Sequence, residues 1–417
     1  MGMVSKALRA LALFPVLIAA APIDGVAQPP EREPFAIAFD DEGTAITLTG
    51  DIMFPPAGQA IRAAVLLVPG TGHFDRDGLF GVSGGPEDLI YLSLAKALAA
   101  EGYAVIRADK RGIACSPGLA TASAAIRAAS TVYKGPDGPP CILPAQVATV
   151  DADSAAEDVG RLLGHAAGHP RLRNACRVIL AHSEGMLNAA KAIDLGIAAP
   201  DVLIGIGAPM DSPAATFRWQ RIDRIPEAMR SFDTNRDGVT TNEEVTVGFA
   251  KSRVAVFNDV NLFQSPTGAF TREQVDAVRD AWSAIYEQER TAALNADPKA
   301  LFPTAEQAMA TQGWWRQWFT DERPIAARLA AFKGPIGLVY AELDSQVPPD
   351  RHLAATDTHL SGRFVAETLS DVGHSLGRHP SYGPMAPEGL QAVRGMLARL
   401  TDQACPREGG RREGSAR

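Results

Sequence analysis

The chain has no excess of positive charge: 40 lysines and arginines face 48 aspartates and glutamates, for a net charge of -8. No basic stripe interrupts that balance, so polyanion binding, which needs clustered cations to neutralise phosphates, has no footing here. Long apolar runs are also missing. The one candidate, residues 10–21, is interrupted by Pro15 and too short to span a bilayer, and no later segment qualifies. Cysteine is scarce. Cys115, Cys141, Cys176 and Cys405 stand at spacings that match no zinc pattern. What remains is an ordinary globular composition over 417 residues, ample for one large or two modest domains.

Lys6 and Arg9 precede the N-terminal apolar run, and Asp24-Gly25-Val26-Ala27-Gln28 follows it, with small residues at -3 and -1 of a cut after Ala27. This is the pattern of a secretory signal peptide over residues 1–27. The expectation is a periplasmic or secreted chain with no membrane span after cleavage. Export makes the cysteines candidates for disulfides. Four cysteines allow three pairings; Cys115–Cys141, stapling a polar excursion, with Cys176–Cys405, tying the C-terminus to the sheet, is favoured.

The central stretch is Val178-Ile179-Leu180-Ala181-His182-Ser183-Glu184-Gly185-Met186-Leu187-Asn188-Ala189-Ala190. A short apolar run meets a small-residue turn and then an Ala/Leu-rich segment: strand, sharp turn, helix, with a serine at the tip. Such a turn lifts a hydroxyl clear of a sheet edge, and its small flanking residues allow strand and helix to approach closely. Gly373-His374-Ser375-Leu376-Gly377 spells the G-x-S-x-G pattern better, but the prolines and glycine that follow prevent a helix at that turn.

Along the chain, residues 36–39 and 44–53 alternate as half-buried antiparallel strands, and residues 63–68, 103–108, 178–182, 201–207, 335–341 and 364–369 read as further strands. Helical spacing covers residues 89–100, 153–166 and 387–400. Asp109-Lys110-Arg111-Gly112 reads as a polar structural turn. Residues 113–150 form a long surface excursion, and residues 405–417 a polar, disordered tail. From Met210 to Phe332 the strand–helix rhythm stops; this stretch holds all five tryptophans and reads as a helical cap over residues 210–332, between core segments 28–209 and 333–404. Clustered aromatics suit the wall of an apolar pocket.

Within the cap, residues 233–244 place Asp233, Asn235 and Asp237 at loop positions 1, 3 and 5, Gly238 at 6, the Val239 carbonyl at 7 and Glu244 at 12. That is the EF-hand spacing: oxygen ligands for a hard cation, a glycine for the sharp turn, and a glutamate able to supply two oxygens. Helices are expected on either side, over residues 225–232 and 243–251, and no second loop of this kind is visible to pair with it. Ca²⁺ is the expected occupant, in a weak structural role.

A serine hydroxyl needs a base to take its proton and an acid to hold that base. Ser183, Asp344 and His374 each fall just past an expected strand, in the order Ser…Asp…His. Glu342 and Asp350 lie near Asp344; Asp344 is best placed. The backbone N–H of Glu184 is one expected oxyanion donor, and the other comes from Thr71 or Gly72 in the Gly-rich turn after residues 63–68.

Pro69-Gly70-Thr71-Gly72-His73-Phe74-Asp75-Arg76-Asp77-Gly78, Asp109-Lys110-Arg111-Gly112, Ala181-His182-Ser183-Glu184-Gly185, Asp344-Ser345-Gln346-Val347-Pro348-Pro349 and Gly373-His374 together resemble the ordered motifs of α/β-hydrolase esterases. They are similar in particular to the bacterial group related to serine aminopeptidase-like hydrolases, with a G-S-G-P-x-D-R-D-G-type oxyanion loop. The turn here begins Pro-Gly rather than His-Gly, the serine turn begins with Ala181, and the EF-hand-like loop is an addition the family does not require. The resemblance implies an α/β-hydrolase fold, a mostly parallel sheet flanked by helices with a helical cap insertion. It also implies an exported serine hydrolase that cleaves small-molecule carboxylic esters through an acyl-enzyme, with no cofactor for catalysis. A peptidase or amidase using the same groups, or a non-catalytic calcium-binding module on this fold, are the alternatives.

Overall fold

Eight strands form one sheet in the computed structural model, which describes residues 30–72, 74–78, 89–113, 142–256, 259–304, 308–378 and 384–405. They are β1 (Arg32–Asp41), β2 (Thr44–Met53), β3 (Ala63–Val68), β4 (Tyr103–Ala108), β5 (Arg177–His182), β6 (Val202–Ile206), β7 (Ile336–Ala341) and β8 (Phe364–Leu369). Their order across the sheet is β1-β2-β4-β3-β5-β6-β7-β8. β1 and β2 form an antiparallel hairpin, β2 runs antiparallel to β4, and every other neighbour is parallel. β1 is longer than its apolar centre suggests, because a two-residue turn at Glu42–Gly43 keeps the pairing continuous from Asp41↔Thr44 to Arg32↔Met53.

β3, β4, β6 and β7 are buried along their whole length, as expected where helices cover both faces. Their side chains divide by the two-residue period. Ala64, Leu66, Val68, Ile179, Ala181, Leu338 and Tyr340 enter one core, which α2 (Ser154–Gly168) and α3 (Glu184–Asp194) complete. Ala63, Val65, Leu67, Val178, Leu180, Val339 and Ala341 enter the other, closed by α1 (Ile90–Ala100) and α10 (Pro387–Ala404). This is the α/β-hydrolase architecture, with the serine turn leaving β5 at the middle of the sheet.

Between β6 and β7 the chain departs into α4 (Pro213–Arg218), α5 (Arg224–Phe232), α6 (Asn242–Phe249), α7 (Arg272–Asn295) and α8 (Gln312–Thr320). α9 (Pro349–Leu360) follows β7. α5 and α6 flank residues 233–244, and α6 stops at Phe249, short of the expected Lys251.

One finding corrects the expectation that the EF-hand-like loop stands alone. Val239–Thr241 pairs antiparallel with Ala269–Thr271, Thr240 facing Phe270. Counting back from that pairing, Phe263, Ser265, Thr267 and Gly268 occupy the places of Asp233, Asn235, Asp237 and Gly238. Both glycines are left-handed, at φ +87° for Gly238 and +93° for Gly268. Thr241 with Glu244 and Thr271 with Gln274 make matching capping boxes at the starts of α6 and α7. The carboxylate spacing gave no sign of the mate, because its corresponding places hold Phe263, Ser265, Thr267 and Gln274 while the glycine, the capping box and the strand are shared. Met229, Phe232, Val245, Val254, Phe263 and Val275 fill a small core that joins the two halves.

Cys176, just before β5, is bonded to Cys405 at the end of α10 across a sequence separation of 229. The favoured partner bridge, Cys115–Cys141, lies outside the described residues, as do the signal segment and residues 406–417. No helix among the described residues is long and apolar enough to cross a membrane. Because the bridge closes so large a loop, Cys405→Ser should lower the unfolding free energy by about 2–4 kcal/mol in urea denaturation without reductant. A change near zero would show that the bridge does not form in solution.

Candidate active site

Ser183 sits between β5 and α3 with φ +53° and ψ -125°, a conformation L-residues rarely adopt. Packing on every side holds it there. The Ser183 N–H donates to Ile206 O at 2.9 Å, and the Ser183 carbonyl accepts from Met186 N–H at 2.9 Å. A Cβ on Gly185 would lie 2.4 Å from Val68 O, so that position must stay bare for α3 to rest on β3. Ala181 fits, fully buried.

Asp344, fully buried beyond β7, is held through both oxygens. Its Oδ1 accepts from the Gln346 and Val347 N–H groups at 2.7 and 2.8 Å, and its Oδ2 from His374 Nδ1 at 2.7 Å. The nearby Glu342 and Asp350 are exposed and make no such bond to His374. With Nδ1 donating to the carboxylate, the other ring nitrogen of His374, Nε2, carries a lone pair. Gly207, at φ +51°, leaves room for this ring: a Cβ there would be 2.9 Å from His374 O and 3.0 Å from its Nδ1. Ser375, in the better-spelled motif, is buried in the turn and does not line the cavity described next.

Ser183 and His374 line one cavity of about 310 Å³ with Gly70, Thr71 and Glu184. Phe74, Phe217, Trp314, Trp315 and Trp318 form its apolar wall. Three of the five tryptophans thus reach the site, while Trp219 is turned to Glu227 at 2.8 Å. Glu184 opens α3, so its N–H has no partner inside the helix and is available to a ligand. Of the two alternatives for the second donor, Thr71 faces this cavity, whereas Gly72 borders a separate pocket of about 70 Å³.

Sequence reasoning missed the polar groups beneath the floor. Tyr91 OH accepts from Gly70 N–H at 3.3 Å and lies 3.1 Å from His182 Nδ1. Burial, with the nearby His374 adding to it, pushes His182 down to about 3. A neutral His182 keeps a second positive charge away from the His374 ring, whose centroid is 5.0 Å off. Glu184 Oε1 accepts from Trp314 Nε1 at 2.7 Å. The Gly-rich loop after β3 itself rests on buried charge: Arg107 is bonded to Asp51, to Asp77 at 2.6 Å and to Arg76 O at 3.1 Å. Asp75 caps the turn through the Asp77 and Gly78 N–H groups at 3.0 Å, and burial pushes its carboxyl up to about 7. The spelling D-R-D-G was the only signal of this cluster, and it carries no geometry.

In the loop 233–244, Asp233 accepts from the Asp237 and Gly238 N–H groups, Asp237 from Val239 N–H, and Glu244 from Thr234 and Thr241. The donor set is oxygen throughout, which suits a hard cation. The surrounding lobe touches the loop that carries Asp344. Gln220 donates to Gln346 O at 2.8 Å, Arg224 to Ser345 O at 3.2 Å and Arg253 to Glu342 O at 2.8 Å.

No family model matches the sequence, and no curated protein does. Among solved structures, the chain is similar to a thermophilic esterase from Thermogutta terrifontis, at 17% identity and a TM-score of 0.45, over 88% of this chain and 99% of that one. It is similar also to Est1E from Butyrivibrio proteoclasticus (14%, 0.42, 88% and 98%) and to a proline iminopeptidase from Mycobacterium smegmatis (13%, 0.41, 89% and 98%).

The site has a consequence for stability. An unfolded histidine titrates near 6.5, whereas His182 in the fold stays neutral to about 3. Between these values the unfolded state binds the extra proton at this residue, so the contribution of His182 to stability falls as pH falls through 6.5 toward 3. His182→Asn should flatten that acid limb in urea unfolding series at stepped pH; an unchanged slope would mean His182 is not held neutral.

Proposed function

We propose that the protein is an exported serine hydrolase that cleaves carboxylic esters of small molecules through an acyl-enzyme. The observation that carries this reading is the convergence of Ser183, on its left-handed turn, with His374, held by Asp344 at 2.7 Å, in one aromatic-walled cavity. Ser183 Oγ attacks the ester carbonyl and His374 Nε2 takes its proton. Asp344 holds the ring in the required tautomer and stabilises its charged form. The N–H groups of Thr71 and Glu184 receive the oxyanion. Collapse of the tetrahedral adduct expels the alcohol, which takes the proton from His374, and water then releases the acid by the reverse sequence. No cofactor is required. Ester rather than peptide chemistry is favoured because Glu184 is the one carboxylate among the described lining residues, with its Oε1 bound to Trp314 and its Oε2 facing the Lys110 ammonium at 3.8 Å, leaving little to bind a substrate ammonium. The Cys176–Cys405 bridge supports an oxidising, extracytoplasmic location.

We also propose that loop 233–244 binds Ca²⁺ through Asp233, Asn235, Asp237, the Val239 carbonyl and Glu244, with the mate loop 263–274 serving only as its structural partner. The spacing and the paired glycine turns support this. Since the lobe is hydrogen-bonded to the Asp344 loop, a bound ion would steady the acid's surroundings.

Two experiments test these readings. Wild-type protein should take a fluorophosphonate label and hydrolyse p-nitrophenyl esters. Ser183→Ala should lose the label and all turnover above the residual ~10³-fold that binding and oxyanion contacts retain, and Ser375→Ala should keep both. Turnover of aminoacyl anilides but no ester would favour a peptidase, and silence on all three a non-catalytic module. Ca²⁺ at a hundredfold excess over Kd should stabilise the protein by about 2.7 kcal/mol relative to chelator, an effect that Asp233→Ala abolishes. Equal stability in both conditions would remove the calcium reading.

A further inference from the structure

The Asp109–Lys110 turn, which the sequence presents as merely structural, grips the loop opposite Ser183 at three points. Lys110 Nζ donates to Gly70 O at 3.0 Å, the Lys110 N–H donates to Phe74 O at 3.1 Å, and the Asp109 carboxylate accepts from the Arg76 N–H at 2.9 Å and from its guanidinium at 2.6 Å. The first contact bears on chemistry. The Gly70 carbonyl and the Thr71 N–H belong to one planar peptide and point in opposite directions. A group that fixes the carbonyl therefore fixes the N–H as well. Gly70 is held from its other side by Tyr91 OH at 3.3 Å, so both ends of the residue are anchored.

The charge on Lys110 adds a second effect. An ammonium on a carbonyl oxygen draws electron density from the amide and makes its N–H a stronger donor. That charge has a fixed counter-ion: Glu184 Oε2 lies 3.8 Å from Lys110 Nζ, with the carboxylate buried and its other oxygen bound to Trp314. Glu184 also supplies the backbone N–H proposed as the other oxyanion donor. One ion pair thus spans the two peptides that flank the developing charge.

We propose that Lys110 is a positioning residue for the oxyanion hole, orienting and polarising the Gly70–Thr71 peptide toward the substrate carbonyl. This rests on the reading of Ser183 as the nucleophile. Lys110 touches no reacting atom, so its loss removes stabilisation made only in the transition state.

The test compares wild type, Lys110→Met and Lys110→Arg on p-nitrophenyl butyrate, with kcat and KM determined separately and with an alkyl trifluoromethyl ketone as a tetrahedral-adduct probe. Deleting an oxyanion donor outright costs about 10²–10³ in kcat, so loosening one should lower kcat by roughly 10–100-fold in Lys110→Met. KM should stay within about twofold, the ketone should bind correspondingly more weakly, and Lys110→Arg should recover part of the loss. Should Lys110→Met fail to fold, Lys110→Gln, which keeps a polar end without the charge, carries the same comparison. A wild-type kcat in the uncharged variant, or a loss confined to KM with ketone affinity unchanged, would overturn the role of Lys110. Wild-type protein that neither turns over ester nor takes the fluorophosphonate label would instead remove the reading of Ser183 beneath it.

Discussion

The conformation of Ser183 is the constraint on which the rest of the site depends. Its φ of +53° is unfavourable by itself, at a cost of order 1–3 kcal/mol, and persists because its surroundings over-determine it. β5 enters the turn paired on both sides, by β3 and β6, and the Ser183 N–H itself is bonded to β6. α3 lies against the end of β3 through the bare Gly185. Each contact draws on the fully buried centre of the sheet, so the strain is stored where the fold is hardest to deform.

Around that fixed point the other groups arrive from separate strand ends. β7 delivers Asp344, β8 delivers His374, and the loop after β3 delivers Thr71, each on a short connection at the same edge of the sheet. Buried charge then does what apolar packing cannot: it sets direction. Two backbone N–H groups and one histidine bind both oxygens of Asp344, and Arg107 ties β2 to the loop following β3. Breaking one member of such a buried set leaves its partner uncompensated, which is why these contacts restrict the loops more than their modest net energy suggests.

The inserted segment works on both sides of this arrangement. One end, at α8, provides the tryptophan wall and the Trp314 bond to Glu184. The other end carries the paired loops, whose flanking residues Gln220, Arg224 and Arg253 donate to carbonyls of the segment around Asp344. The inserted segment therefore lines the cavity and contacts the loop carrying Asp344 at once.

Much of this was legible in the residues. Continuous apolar runs announced buried parallel strands, small residues around Ser183 announced a close strand–helix turn, and Ser183, Asp344 and His374 each stood just past a strand, because each of these signals is carried by a short local segment. The second loop was missed, since it has no carboxylates at the ligand positions and only its pairing with residues 239–241 reveals it. The contacts of Lys110, Tyr91 and the Glu184 side chain were missed as well. Their partners lie 40, 91 and 130 residues away, a separation over which no spacing rule operates. The sequence by itself determined which strands would be buried and which residues could carry the chemistry. Only the tertiary structure decided which carboxylate meets His374 and what holds the Gly70 carbonyl, because those choices are made by directional hydrogen bonds between elements that the chain brings together only on folding.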